Sequence, residues 1–279
     1  DADAAGVGPA DPRDRFNSGL PAHLLARALG LGAGAYALDA ACASALYAIE
    51  LACRALGEGR ADRMLAGAVN RADDLFIHVG FCALDAMSRT GRSRPFHADA
   101  DGLVPAEGCG FVVLERLDDA ERAGRPILGV IRGVGLANDG RGAGLLTPSA
   151  EGQARAMRHA FAQAGWRPDD VPYVECHATG TRVGDATELS SMASVYGDAP
   201  RFVGSLKANL GHLVTAAGVA GLIKILEAFR EGVVPPTPHL DAPSEALLRS
   251  PFEAPGAALR WRGPPRAGLS AFGFGGNDA

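Results

Sequence analysis

Three short motifs carry the side chains that could do chemistry. They are residues 39–45 (DAACASA), 175–181 (ECHATGT) and 207–212 (KANLGH). Cys42 offers a thiol nucleophile, which needs a proton acceptor and donors for an oxyanion close by. His177 and His212 offer two imidazoles, whose N–H groups could stabilise the negative charge of an enolate. If the motifs meet in space, they suit carbon–carbon bond formation better than ordinary hydrolysis.

Cys42 lies where a predicted strand turns into a predicted helix. Residues 35–38 are apolar and predict a short buried strand before the cysteine. A helix is predicted next, because apolar residues recur at helical spacing and Gly57 follows as a stop signal. Those apolar residues are Leu46, Ile49, Cys53 and Leu56. We expect the helix N-terminus to lower the pKa of the thiol and to offer N–H groups to an oxyanion.

The rest of the chain alternates between predicted strands and helices. The predicted strands cover 63–69, 110–114, 126–134, 171–175 and 202–204. The predicted helices cover 20–29, 118–124, 151–165 and 214–230. A surface connection is predicted at 235–243, and a loop over the first dozen residues. This alternation predicts an α/β fold with buried central sheets.

The composition restricts the class of protein. The chain has 279 residues, 47% hydrophobic and 21% charged, which is typical of a globular protein with a sizeable core. Its formal net charge of −5 does not favour nucleic acid or an anionic membrane. The five cysteines are irregularly spaced without a CxxC pair, which argues against a disulfide framework and fits a reducing cytoplasm. The longest apolar run, 213–223, is too short to span a bilayer.

The motifs together resemble those of the β-ketoacyl synthases, the condensing enzymes of fatty-acid and polyketide assembly. The resemblance runs from about Phe16 to the end of the chain and includes four further segments. They are 101–108 (DGLVPAEG), 147–148 (TP), 184–185 (GD) and 272–276 (FGFGG). The segment around Cys42 looks most like type I polyketide and polyunsaturated fatty-acid synthases. The resemblance implies an α/β, thiolase-like layered αβαβα fold with an incomplete N-terminal half. Residues 1–125 would be the remainder of that half, and 126–279 the C-terminal half with both histidines.

The resemblance also implies roles for individual residues. Cys42 would be acylated from a phosphopantetheine thioester, and His177 and His212 would promote decarboxylation and condensation. Lys207 would support the histidines electrostatically. Glu107 would be its buried partner or a cation-site ligand, although a salt bridge that only holds the fold is an alternative.

Further residues would bind the substrate. Thr179 and Thr181 would hydrogen-bond the pantetheine arm, and Asn209 would also contact substrate. Phe274 would gate the acyl pocket, and its backbone N–H would join that of Cys42 in an oxyanion hole. The implied partner is an acyl carrier protein, and the complete domain would be a homodimer. The resemblance implies no metal and no tightly bound cofactor, nucleic acid or membrane.

Two departures from the family are visible. Ala178 follows the first histidine where glycine is usual, and residues 277–278 read Asn-Asp where Thr-Asn is usual. Other hypotheses use the same residues: a metal site on the cysteine and histidines, and a cysteine hydrolase of Cys42, His177 and Asn209. A thiolase would need a second cysteine near Phe274, which the sequence lacks. A catalytically inactive structural or carrier-docking piece is the alternative from another class.

Overall fold

A computed structural model describes residues 19–72, 75–141, 144 and 147–279, so the loop predicted at the start lies outside the described residues. Its helices are α1 (Leu20–Ala28), α2 (Ser44–Gly57), α3 (Leu75–Ala83), α4 (Leu117–Arg122), α5 (Ala150–Ala164), α6 (Arg182–Tyr196), α7 (Lys207–Leu210), α8 (Ala217–Glu231) and α9 (Glu245–Leu248). Its strands are β1 (Arg63–Asn70), β2 (Gly108–Glu115), β3 (Ala137–Asn138), β4 (Tyr173–Glu175), β5 (Arg201–Gly204), β6 (Val233–Val234), β7 (Phe252–Glu253), β8 (Leu259–Arg260), β9 (Ala267–Leu269), β10 (Phe272–Gly273) and β11 (Asn277–Asp278). Short 3-10 turns cover Ala41–Ala43, Pro168–Asp170 and Val214–Ala216.

A parallel sheet of order β7-β5-β4-β9 forms the centre of the C-terminal part. Successive side chains of a strand point to opposite faces, so β4 contributes to two cores. Val174 packs with Met157 of α5 and Met192 of α6, whereas Tyr173 packs with Ile225 of α8. Helices therefore cover both faces of this sheet, as a parallel sheet requires.

An antiparallel ribbon of β1 and β2 forms the second layer. Arg63 pairs with Glu115 at one end and Asn70 with Gly108 at the other. Helix α2 packs against one face of the ribbon through a core that includes Ile49 and Ala66. The other face carries exposed apolar side chains, which include Val69, Phe111 and Val113.

Small residues in α8 bring the two parts of the chain together. A Cβ on Gly218 would lie 2.9 Å from Leu46 of α2, and one on Gly221 would lie 2.8 Å from Leu269 of β9. Glycine at these positions lets α8 approach both elements closely. Cys42 precedes α2 and His212 precedes α8, so this packing places the two residues side by side.

Most predicted elements are confirmed, and the mixed α/β class with them. Two predicted strands are wrong: no strand forms over 35–38 or 126–134, where residues 35–37 and 126–130 are exposed. An apolar run becomes a strand only where another strand pairs with its backbone. Within the described ranges, neither segment has such a partner.

Helix α6 is not among the predicted helices. Its inward face carries buried polar residues, which include Asp185, Glu188 and Ser191. These interrupt the apolar periodicity by which an amphipathic helix is predicted from sequence. Among the described helices, none is long and apolar enough to span a membrane.

Candidate active site

A tight turn holds Cys42 at the start of α2. The carboxylate of Asp39 accepts a hydrogen bond from Ala41 N–H at 2.8 Å, and Ala41 has a φ of 51°. The Ser44 hydroxyl accepts from Ala40 N–H at 2.9 Å and donates to Ala41 C=O at 2.7 Å. These bonds stabilise a left-handed conformation that a non-glycine residue adopts only under constraint. The turn buries Cys42, which is 3% exposed, and presents its sulfur to the histidines.

His212 is held beside the sulfur by the strap of residues 104–106. Its backbone N–H donates to Val104 C=O at 2.7 Å, and its C=O accepts from Ala106 N–H at 2.9 Å. The His212 Nε2 atom lies 3.0 Å from Cys42 Sγ. This distance allows direct proton transfer between the thiol and the imidazole.

His177 completes the group from the end of β4. Its ring centroid lies 5.4 Å from that of His212, with the planes at 86°. One nitrogen of each ring and the Cys42 sulfur lie within 4.8 Å of one another. The structure therefore brings together the three residues that the motifs single out.

Two carboxylates of α6 hold the loop after His177. Glu188 accepts hydrogen bonds from the backbone N–H groups of His177 and Ala178, both at 2.7 Å. Asp185 accepts from Thr179 N–H at 3.1 Å and Gly180 N–H at 3.2 Å. Burial raises the pKa of Asp185 to about 6 and that of Glu188 to about 7, although these amides oppose the rise.

Neither carboxylate was assigned a role from the sequence. Asp185 was visible only as part of the Gly-Asp pair in the resemblance. The available signal was the spacing of Asp185 and Glu188, because acids three residues apart lie on one face of a helix. The helix that carries this face follows the histidine loop directly, so its acids lie within reach of the backbone N–H groups of that loop.

Lys207 lies buried behind the histidines. Burial lowers its pKa, and the carboxylates of Glu175 and Glu188 oppose that change. Glu175 itself is fixed by three short hydrogen bonds of 2.6 Å each, from the Tyr173 hydroxyl, Lys224 Nζ and Leu206 N–H. Lys207 thus lies close to the buried ionic network around Glu175, which no pattern in the sequence indicated.

One of the roles that the resemblance implied for Glu107 is wrong, whereas the cation-site ligand and the salt bridge that holds the fold stay predictions. Glu107 is exposed, so it is not the buried partner of Lys207, and the carboxylates whose charges act on Lys207 are those of Glu175 and Glu188. The physical reason is strand geometry. Glu107 precedes β2, and alternate residues of this segment face outward.

Burial also overturns the expected thiolate. It raises the pKa of Cys42 to about 11, and the Lys207 charge and the backbone amides of Phe274 and Cys42 oppose this only in part. Burial and the Lys207 charge hold the pKa values of His177 and His212 well below their usual range. These directions favour a neutral thiol beside two neutral imidazoles in the resting site.

The remaining predicted residues surround this group. Thr179 is buried, and its hydroxyl lies 3.1 Å from that of Thr181. Asn209 is exposed on α7. The Phe274 ring is 36% exposed and lies 5.9 Å from Phe81 between centroids, whereas its backbone N–H faces the Cys42 sulfur. Their roles in binding and gating stay predictions.

The cysteine and two histidines are also the set that could coordinate a metal ion. A metal-bound histidine usually donates its other ring N–H to an oxygen acceptor. Within the described residues, the Nδ1 atoms of His177 and His212 are buried without a hydrogen-bond partner. The two histidines therefore lack the hydrogen bonds that usually orient metal-bound histidines. The absence of a metal stays a prediction.

Comparisons with known proteins agree with this geometry. The profile described as "Beta-ketoacyl synthase, N-terminal domain" matches residues 9–120, and the "Beta-ketoacyl synthase, C-terminal domain" matches residues 128–241. The boundary predicted between residues 125 and 126 stays a prediction.

Similar proteins include large synthases. The chain is 43% identical over 267 residues to a polyunsaturated fatty acid synthase of Thraustochytrium sp., in an alignment that covers 93% of this chain and 13% of that protein. It is 40% identical to pikromycin polyketide synthase component PikAIII of Streptomyces venezuelae, covering 91% of this chain and 17% of that one.

Solved structures give the same result. The structure of "PfaC Keto synthase-Chain length factor" matches with a TM-score of 0.90 and 41% identity, covering 98% of this chain and 30% of that one. The module 6 ketosynthase of the Bacillus subtilis bacillaene synthase matches with a TM-score of 0.89 and 34% identity, covering 92% and 48%. The chain thus spans less than half the length of each of these relatives. The likeness to the two solved structures confirms the predicted thiolase-like α/β fold. The chain belongs to the β-ketoacyl synthase family of acyl-transferring condensing enzymes.

Proposed function

We propose that this chain carries the condensing site of a polyketide or polyunsaturated fatty-acid synthase. The site would join a Cys42-bound acyl group to a malonyl-type thioester by decarboxylative Claisen condensation. The 3.0 Å contact between Cys42 Sγ and His212 Nε2, with His177 across from both, is the observation that carries this proposal.

The first step is acyl transfer to Cys42. As the sulfur attacks the thioester carbonyl, its proton passes to the neutral His212 Nε2, because a thiol with a raised pKa needs a base in contact. The backbone N–H groups of Cys42 and Phe274 stabilise the oxyanion. Its collapse breaks the old C–S bond, and the proton on His212 passes to the departing thiolate.

The second step forms the carbon–carbon bond. A malonyl-type thioester loses CO₂, and the electron pair of the broken bond enters an enolate whose oxygen accepts hydrogen bonds from the two imidazoles. The enolate carbon then attacks the Cys42 thioester, collapse of the tetrahedral intermediate expels the Cys42 thiolate, and a proton from solvent restores the thiol. Neutral imidazoles suit this task because each retains an N–H donor while the charge develops. The charge of the nearby Lys207 favours the same anion.

The substrates would arrive on the phosphopantetheine of an acyl carrier protein. Thr179 and Thr181 lie next to His177 with adjacent hydroxyls that suit the amides of such an arm. A homodimer in the cytoplasm is part of the same proposal. The five cysteines, which are all free, are compatible with a reducing compartment.

A second candidate is a structural or carrier-docking role without catalysis. The exposed apolar face of the β1–β2 ribbon supports it, because such patches mark interaction surfaces. This role predicts a folded protein whose Cys42 does not react with acyl thioesters.

Covalent labelling distinguishes the two candidates. The protein is incubated with a radiolabelled acyl thioester of a pantetheine analogue, and protein-bound label is counted. We expect labelling that Cys42→Ala abolishes and that the matched change at an exposed cysteine, Cys82→Ala, leaves intact. A folded wild-type protein without label would refute the catalytic proposal.

A further inference from the structure

A pair of carboxyl groups that the proposed reaction does not use lies beside the Phe274 loop. Asp278 belongs to β11 and is only 2% exposed, and Asp139 directly follows β3. The Oδ2 atom of Asp278 and the Oδ1 atom of Asp139 are buried, and neither has a hydrogen-bond partner among the described residues. Both oxygens face Gly152 in the first turn of α5, where a Cβ would overlap Asp139 Oδ1 and lie 2.6 Å from Asp278 Oδ2.

Two ionised carboxylates cannot satisfy each other, because each only accepts hydrogen bonds. A single proton removes the conflict, since one carboxylic acid then donates its O–H to the other group. Burial, followed by the charge of Asp139 and by the hydrogen bond that a protonated acid would donate to the other, raises the pKa of Asp278 to about 8. Other acid pairs with one shared proton behave in this way.

Among the described residues, the charged and titratable neighbours do not donate hydrogen bonds to the two unpartnered oxygens. Arg155 opposes the rise in the Asp278 pKa, but its Nη2 donates to Asn138 C=O at 2.7 Å and its Nη1 lies 3.5 Å from Glu151. Two further groups face this region from α2 and α5. The Tyr47 hydroxyl donates to Ala137 C=O at 3.1 Å, and His159 Nδ1 lies 3.1 Å from Leu136 C=O.

The pair connects directly to the loop that faces Cys42. Asp139 N–H donates to Gly276 C=O at 3.0 Å, and the Asn138 side-chain amide donates to Gly275 C=O at 3.2 Å. At the other end of the loop, a Cβ on Gly273 would lie 3.2 Å from Cys42 N. Asp278 closes the same loop through the β10–β11 and β11–β3 pairings.

We infer that Asp139 and Asp278 share one proton, and that this proton holds loop 273–276 where the Phe274 amide faces Cys42. The two residues are positioning residues. When the proton is lost at alkaline pH, two adjacent negative charges repel each other and separate β11 from the segment that braces the loop. An asparagine at 278 would donate its amide N–H at every pH, so the aspartate gives this chain a pH dependence of its own. The inference deepens the proposed function, because this loop supplies one of the two oxyanion donors.

A direct test compares the full-length wild-type protein with Asp278→Asn by infrared spectroscopy. We expect the wild type to show an extra protonated-carboxyl C=O band at neutral pH that disappears above about pH 9, and the variant to lack it. Asp139→Asn should also lose the band and serves if the first variant does not fold. Asp198→Asn, a change at an exposed aspartate, should retain it. A band that disappears only above about pH 9 and survives both pair substitutions would overturn the shared proton, whereas a band from Glu188 would disappear near its pKa of about 7.

Amide hydrogen exchange tests the positioning. We expect the exchange rate of segment 272–278 in wild type, divided by that in Asp278→Asn, to rise about tenfold between about pH 6 and about pH 10. Dividing the rates removes the intrinsic pH dependence of exchange. A constant ratio would overturn the positioning role. Stabilisation by added Ca²⁺ that Asp278→Asn abolishes would also overturn the inference, because a cation would then bridge the pair. Neither measurement needs acyl transfer, so failure of the proposed function would show only in the labelling experiment.

Discussion

Two pairs of acids with buried oxygen atoms support the loops around the reactive sulfur, and they differ in what surrounds them. Asp185 and Glu188 accept five hydrogen bonds from backbone N–H groups, including those of Phe96 and His177. Asp139 and Asp278 each keep one buried oxygen without a partner in the described part of the chain. Burial alone therefore does not determine what a carboxyl group does; the available donors do.

The two pairs therefore require opposite protonation states to support the site. Backbone donors favour the charged form of Asp185 and Glu188, so their pKa values stay at about 6 and about 7 despite burial, and the ionised acids hold the His177 loop. The second pair depends on a proton that the solution can remove. The site thus combines a histidine side whose acids hold the loop in their ionised form with an oxyanion side whose acids require a proton. Single substitutions can change one side at a time.

The largest effect is expected for Glu188→Ala. The change leaves the N–H groups of His177 and Ala178 buried without a partner, which costs about 2–4 kcal/mol of unfolding free energy. Condensation should fall by more than about 100-fold, because His177 loses its position. Urea denaturation and a condensation assay measure the two effects. The exposed Glu227→Ala is the control and should change stability by less than about 0.5 kcal/mol.

Replacing each histidine by alanine should affect CO₂ release and Cys42 acylation differently. His177→Ala should lower CO₂ release from a malonyl thioester about 1,000-fold and leave Cys42 acylation within a few fold. His212→Ala should lower both, because its Nε2 contacts the sulfur. Scintillation counting of released CO₂ and of protein-bound acyl label measures the steps, and the exposed His23→Ala is the control. Equal loss of acylation in both variants would contradict these separate roles.

Gly152→Ala tests the space between the α5 helix and the acid pair. Alanine has the better helix propensity, yet its Cβ would overlap Asp139 Oδ1, so we expect a loss of about 1–3 kcal/mol. Gly57→Ala in α2 meets no atom within 4 Å and should be neutral or gain up to about 1 kcal/mol. Thermal unfolding measures both, and a neutral Gly152→Ala would show that the pair is free to move.

The acid pair should also make stability depend on pH. A carboxyl group with a raised pKa binds its proton more tightly in the folded state, so its stabilising contribution is present below the unfolded pKa of 3.8 and lost as pH rises to about 8. Above that pH both states are ionised, and the dependence ends. The stability of Asp278→Asn relative to wild type should therefore increase steadily from about pH 4 to about pH 8 and stay constant above that. Urea midpoints across this range measure it, and a constant difference would contradict the raised pKa.

Local patterns in the sequence were sufficient to predict helix α2 and to single out Cys42, His177 and His212. The 3.6-residue spacing from Leu46 to Leu56 predicted α2, and the buried runs predicted β1, β2 and β4. The strands predicted at 35–38 and 126–134 failed, because a strand also needs a partner that no local pattern specifies. Helix α6 was not predicted, because its buried face carries polar residues and lacks the apolar periodicity of an amphipathic helix.

The sequence by itself determined which residues could react: Cys42, His177 and His212 stand out by type and motif. Only the tertiary structure decided their protonation and their support. Burial made the Cys42 thiol neutral against the expectation of a helix terminus, and the packing of α6 placed Glu188 rather than Glu107 near Lys207. It also set Asp278 against Asp139, which lies 139 residues earlier in the sequence. Desolvation and charge–charge interaction depend on distances in space, and those distances are fixed by packing between segments far apart in the chain.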